Sequence, residues 1–469
     1  MKENFESFFP QGNSKELIDR YEEMIASGHQ YFFDIEEFEE LIDYYMEERA
    51  NQQAFEVLSM AKSQHPSTSD LVIREAELLA STNRFKEALD VLTRLESYER
   101  WNVDLFLTKA SILSQSGLNK ESIEVLKHVL TIADADELDE VCINISFEYQ
   151  NIEKPEMAVE YLKKALDYNL GNEEALYELA YCYDLTGDSI DAIETFQKVI
   201  DADPYSYHAW YCLGNVYMQL EQTQKAIEAY DYSVVIQEDF ASGYFNKAMC
   251  YIQLEEYDNA IEQFHESLKH ELIDSICLFY IAECYFKMEN LHQAEVYYHK
   301  ALAKDNRLID AWLGMALVLQ SESRFIEAMH HVKTAIDLEP NHAEAWILQA
   351  EINADLGFIE ETMVGYERAI ELGNNELGVW LNYTHHLFNN DLITEGESVI
   401  SRAFEALPNE SEIYYRFAAY LLKNGQINDA EDIMEIALGM DREKAETLFE
   451  YYPEANLYTS IVELINNYN

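Results

Sequence analysis

Six cysteines, seven prolines and fifteen glycines are few for 469 residues, and 32 lysines and arginines face 89 aspartates and glutamates. Each shortage excludes something. Cys142, Cys182, Cys212, Cys250, Cys277 and Cys284 show no framework spacing, which excludes a disulfide scaffold. They read as small buried hydrophobes in a reducing compartment rather than as zinc ligands or redox thiols. With a formal charge of −57, the chain lacks the clustered Lys and Arg that grip nucleic-acid phosphates or anionic lipid. No apolar run approaches the roughly 18–20 residues of a membrane span. The start, Met1 to Asn13, has neither a basic beginning nor an apolar stretch and does not read as a signal peptide, so a cytoplasmic location is expected. No glycine-rich phosphate loop, HExxH helix, CxxC pair or Gly-x-Ser-x-Gly elbow occurs. The adjacent pairs His330–His331 and His385–His386 point to different helix faces and are expected at the surface, not as ligands. No catalytic, cofactor-binding or metal-binding residue is therefore assigned.

What is present is a period. From Tyr207 the chain reads Trp210, Leu213, Gly214, Tyr217, then Ala226 and Tyr230. Counting Tyr207 as slot 1, large apolar residues at slots 4, 7 and 11 share one stripe of a first helix, and slot 24 lies on a second. Slots 8 and 20 are small, so two backbones can approach while the large groups interdigitate. Stepping by 34 puts slot 8 on Ala180, Ala248, Ala282, Ala316, Ala350, Thr384 and Ala418, and slot 20 on Ala192, Ala260, Ala294, Ala328, Thr362, Gly396 and Ala430. Slot 4 takes Trp210, Trp312, Trp346 and Trp380, which predicts one shared role for four tryptophans. Punctuation agrees: slot 32 is Pro66, Pro204, Pro340 and Pro408, where a second helix must stop, and slot 15 is Gly117, Gly187, Gly357 and Gly425, where a first helix closes. Pro155 falls near the start of a second helix.

This order resembles the tetratricopeptide repeat, a helix–turn–helix unit of 34 residues. The resemblance implies an all-α fold, an α-α superhelix (right-handed solenoid) with helical caps at both ends. Twelve units are expected over residues 35–444, starting at 35, 69, 103, 139, 173, 207, 241, 275, 309, 343, 377 and 411, with a two-residue insertion in the Ala133–Leu138 linker. Residues 1–34 hold a tail and a capping helix, with Asn13 or Ser14 as its cap and Leu17, Ile18, Tyr21, Met24 and Ile25 as its stripe. Residues 445–469 fit a cap of two short helices with Leu457, Ile461, Leu464 and Ile465 inward; a dimer contact on Tyr451, Tyr452 and Tyr458 is the weaker alternative.

The resemblance also implies a working surface, the inner face lined by slots 2, 5, 9, 12 and 13 of first helices. Acids occupy it at Glu36, Asp43, Glu47, Asp70 and Glu77, and again at Asp310, Glu344, Glu351 and Asp355. Between them, Tyr177, Tyr211, Asn215, Met218, Phe245, Asn246, Met249, Ile252, Phe279 and Phe286 are expected to form an uncharged, aromatic and Met-rich patch. Such a patch suits a protein or peptide segment with an apolar middle and basic flanks; packing between units is the competing explanation. Acids spread along the whole length favour solvation over one basic docking block. In the family's carboxylate clamp, Asn215 and Asn246 match the two Asn positions, but Tyr211, Ile276 and Tyr280 stand at the cationic ones, so that binding mode is excluded. The expected function is a non-enzymatic protein-binding scaffold without cofactor. A peptide-sensing regulator and an accessory subunit of an enzyme or export assembly are the alternatives.

Overall fold

The computed structural model describes residues 13–28, 30–270 and 274–468. The stretch 1–12 and the side chains of Asn13 and Ser14 lie outside the described residues. Helices account for all the regular structure among those described, and the chain divides into two compact units, Met1–Glu238 and Asp239–Asn469.

In the first unit, α1 (Asn13–Ser27) precedes six helix pairs: α2 (Ile35–Glu47) with α3 (Asn51–Gln64), α4 (Asp70–Ser81) with α5 (Phe85–Glu96), α6 (Val103–Gln115) with α7 (Asn119–Val129), α8 (Leu138–Asn151) with α9 (Pro155–Tyr168), α10 (Glu173–Thr186) with α11 (Ser189–Ala202), and α12 (Tyr207–Gln219) with α13 (Thr223–Ile236). The second unit holds α14 (Ala241–Gln253) with α15 (Tyr257–Ser267), α16 (Asp274–Lys287) with α17 (Leu291–Lys304), α18 (Ile309–Ser321) with α19 (Phe325–Leu338), α20 (Ala343–Leu356) with α21 (Ile359–Glu371), α22 (Leu377–Asn389) with α23 (Ile393–Ala406), and α24 (Ser411–Lys423) with α25 (Ile427–Met440), then α26 (Glu446–Tyr451) and α27 (Thr459–Asn467).

The small slots sit where close approach demands them. Slot 20 is buried in every pair, including Ser122, Thr362 and Gly396, and Ala248, Ala282 and Ala316 at slot 8 are wholly buried. Ala180 alone of the slot-8 residues is half-buried. Three glycines make room for rings: a Cβ on Gly214 would lie 2.6 Å from Tyr230 Cε1, one on Gly314 would overlap the Tyr298 ring, and one on Gly396 the Tyr420 ring.

The turn inside each pair is uniform. Gly117, Gly187, Gly357 and Gly425 have φ of 70–80°, and the same slot in the other pairs holds Arg49, Asn83, Glu153, Glu221, Glu255, Glu289, Ser323 and Asp391 at φ of 56–62°. The left-handed residue is therefore structural whatever its side chain. In every pair but one its N–H donates to the carbonyl three residues back and the next N–H to the one five back, as in Glu289 to Phe286 and Asn290 to Tyr285, both 2.9 Å; the exception is Gly187, whose N–H donates to the Tyr183 carbonyl at 2.9 Å. A non-glycine residue there costs about 1 kcal/mol. Glu289→Gly is expected to raise the opening free energy of α16 and α17 by about that amount, measured by amide hydrogen exchange.

Slots 4 and 32 prove to be partners. Trp210 Nε1 donates to the Pro204 carbonyl at 3.1 Å, Trp346 to Pro340 at 3.0 Å, Trp312 to Asn306 at 3.0 Å, and the Tyr414 hydroxyl to Pro408 at 3.1 Å. Trp380 departs from the expected common role: it is 2% exposed, its Nε1 has no partner, and the Arg402 guanidinium lies 5.6 Å from its ring. The preceding link differs, with Gly373 at φ 92° and the Asn374 side chain accepting from Glu376 N–H at 3.1 Å.

At the ends, Leu17, Tyr21 and Met24 are buried but Ile25 is 56% exposed, and Ile461 is fully buried while Leu457 is 81% exposed. The inward stripes are thus narrower than the sequence suggests. Leu457 ends a 3-10 turn, Pro453–Leu457, where the helical period lapses. Tyr451, Tyr452 and Tyr458 face their own chain: Tyr451 lies 4.7 Å from Phe388 and Tyr452 5.4 Å, while Tyr458 donates to the Leu422 carbonyl at 3.1 Å.

Candidate functional site

In the first unit the inner face is shaped by how α10 is held. Leu176, Leu179, Cys182 and Tyr183 bury one side of it. Asn172 caps it through the Ala175 N–H at 2.9 Å and also donates to the buried Asp139 at 2.8 Å. From the other side the Tyr183 hydroxyl donates to Asp191 at 2.9 Å, and Lys163 reaches the same carboxylate at 2.6 Å. With that side fixed, the helical period turns Tyr177, Tyr181 and Leu185 outward, 38%, 53% and 52% exposed at four-residue spacing. Tyr177 stands edge-on to Tyr211 at 6.1 Å. Glu178 accepts from Gln150 at 3.0 Å and Asp184 from Gln219 at 2.9 Å, leaving the aromatic stripe between two satisfied carboxylates.

The expected patch divides between the two units. Tyr177, Tyr211, Asn215 and Met218 belong to the first; Phe245, Asn246, Met249, Ile252, Phe279 and Phe286 belong to the second. Most are half-buried and engaged inside their own units. Asn215 accepts the Tyr230 hydroxyl at 2.7 Å. Phe245 packs 5.5 Å from Phe264 and 5.7 Å from Tyr280, with Met249 and Ile252 against the same cluster, while Phe279 and Phe286 pack against a neighbouring one. Tyr181 and Leu185 lie outside the expected patch, although they stand at slots 9 and 13 and slot 9 also carries its Asn215 and Met249.

The acids also divide. At the amino end Asp43 and Glu77 are neutralised by Arg74, at 3.1 and 3.0 Å. Beside them a cavity of about 760 Å³ has a mixed lining, Thr108, Ser111, Gln115, Asn144 and Asn151 together with Leu107, Ile112 and Phe147. In the second unit Glu351 and Asp355 line a cavity of about 380 Å³ and are met by amides, Asn382 at 3.2 Å and Gln320 at 2.8 Å. Burial, opposed by the Asn382 hydrogen bond and reinforced by Asp355, raises the Glu351 pKa. A carboxyl whose folded pKa exceeds its unfolded value opposes folding once both states are ionised and ceases to do so as pH falls below the unfolded value. Glu351→Gln should therefore raise the melting temperature at pH 7, with the gain fading as pH falls through the raised pKa and gone below about 4. Thermal melts across pH check this.

In each histidine pair one member, His330 or His385, is exposed as expected, and the other is not. His386 is 8% exposed, and His331 stacks 5.3 Å from Trp312 with its pKa pushed down to about 4, mainly by burial. All six cysteines are buried, and burial pushes the Cys142 thiol up to about 11 and Cys284 to about 12. Among the described residues no helix is long and apolar enough to cross a membrane.

A family model described as anaphase-promoting complex, cyclosome, subunit 3 matches residues 154–233, and tetratricopeptide-repeat models match residues 241–269 and 277–305. No curated protein matches the chain. Among solved structures the chain is similar to YrrB, a TPR protein with an unusual peptide-binding site, at 18% identity over 40% of this chain and 96% of that one, TM-score 0.34. It is similar to the APC/C hetero-tetramer Cut9–Hcn1 at 13% identity over 91% and 94%, TM-score 0.40. It is also similar to a tetratricopeptide repeat protein from Parabacteroides merdae at 17% identity over 53% and 98%, TM-score 0.40. TM-scores this low carry no argument about partners.

Proposed function

We propose, from the premise that this chain is a tetratricopeptide-repeat protein, that it is a non-enzymatic scaffold whose first unit holds a partner polypeptide along the inner face of its first helices. The observation that carries this is the stripe of Tyr177, Tyr181 and Leu185 on α10, three large apolar side chains left in water at helical spacing by a helix whose opposite side is firmly packed. Isolated exposed apolar residues need no explanation, but an aligned stripe on the face lined by first helices does. The cavity that α4, α6 and α8 line in the same unit adds hydroxyl and amide groups, Thr108, Ser111, Asn144 and Asn151, for hydrogen bonds to partner backbone.

Covering Tyr181 and Leu185 is worth about 1 kcal/mol each by area. Replacing both with Asp also sets new charge beside Glu178 and Asp184. The test pans a displayed random-peptide library against the full chain. Selected peptides should be rich in apolar residues and should lose at least about tenfold in affinity for the Tyr181→Asp, Leu185→Asp double variant, with far-UV circular dichroism unchanged. Peptides that bind the double variant as well as the parent would contradict the proposal. Phe245 and Met249 are poor probes, because Asp there would break a packed cluster.

A further inference from the structure

We infer that the cavity of about 380 Å³ in the second unit is a receptor for an arginine side chain of the partner, its guanidinium held by Glu351 and Asp355. The inference deepens the scaffold proposal and rests on it for the inner face being the binding surface. Glu351 and Asp355 lie one turn apart on α20. Among the described residues neither forms an ion pair, in contrast to Asp43 and Glu77, which share Arg74. The lining contains no Lys or Arg: besides the two acids it includes Gln320, Asn382, His385, Asn389 and the largely buried Tyr366. His386 lines it too, 8% exposed, and its Nε2 makes no hydrogen bond. A neutral imidazole nitrogen, two carboxylates and amide oxygens are all acceptors.

A metal ion is a poorer occupant. Among the described residues no three His, Cys, Asp or Glu side chains are placed to share one. Arginine fits better than lysine because its planar fork can address two carboxylates at once. Arg416, whose charge reaches His385, does not line the cavity; its guanidinium is 3.3 Å from the centre of the Tyr451 ring.

The test uses the full chain with 13C-labelled alanine methyls, because Ala354 lines the cavity. N-acetyl-arginine amide is the probe and N-acetyl-citrulline amide, of the same shape without charge, the control. The arginine probe should shift the Ala354 methyl saturably. Citrulline should bind at least about tenfold more weakly, as should arginine to the Glu351→Gln, Asp355→Asn variant, whose other alanine methyls report an intact fold. No shift at Ala354, an equal response to citrulline, or undiminished binding to the variant would overturn the inference, the last by showing diffuse attraction to an acidic chain. Because probe and residues lie in the second unit, this result is read separately from that of the Tyr181 and Leu185 variants.

Discussion

Gly396→Ala is expected to cost about 3 kcal/mol in local stability, although alanine is the better helix former by about 1 kcal/mol. The added Cβ would overlap the Tyr420 ring. That ring cannot yield easily, since Tyr420 is fully buried, edge-on to Phe388 at 5.1 Å, and donates to the Thr384 carbonyl at 2.5 Å. The other pairs tolerate Ala, Ser or Thr at this slot; here a tyrosine from the next first helix has taken the space. Hydrogen exchange should show the loss in α22 to α25 and leave α14 to α17 unchanged, because stability in a repeat array is carried by nearest neighbours. Tyr420→Leu should rescue part of it, and strongly non-additive effects in the double variant would show that the two positions share one volume.

Leu448→Ala combined with Ile461→Ala is the second large effect. Both side chains are essentially fully buried, Leu448 at 1% exposure and Ile461 at 0%, and each truncation costs about 2–5 kcal/mol. The helices involved, α26 and α27, pack against α24 and α25, so their loosening uncovers the last pair. It also withdraws the Tyr451 ring from Arg416, whose Nη1 is buried without a hydrogen bond. Fraying should therefore be confined to α24 and α25, with earlier exchange there and increased dye binding to exposed apolar surface. Uniform destabilisation of the whole chain would contradict a cap that acts on its neighbours alone.

The parts legible in the sequence were those governed by size. Alanine at slots 8 and 20 marks where backbones meet, and no other explanation of a 34-residue recurrence of small residues competes with it. The turn was legible in four pairs through Gly117, Gly187, Gly357 and Gly425; Glu153, Glu221, Glu255 and Glu289 hid it, because the hydrogen-bonded turn imposes a positive φ that their side chains disfavour. The candidate site was read less well. Slot position predicts which way a residue faces but not whether a neighbour covers it, so Asn215 proved to serve Tyr230, and Phe245 and Met249 proved to fill a core. Charge misled similarly: Asp43 and Glu351 occupy the same slot, yet Arg74 from the following first helix neutralises one and nothing cationic reaches the other.

The central claim is that partners are held on the face formed by first helices and not on the second helices. Photo-crosslinking decides between them with the full chain, a panned peptide and p-benzoylphenylalanine installed in place of either Tyr181 on α10 or Ile190 on α11, which are 53% and 75% exposed on the two helices of one pair. The account predicts a peptide adduct from position 181 and none from 190; an adduct from 190 alone would contradict it.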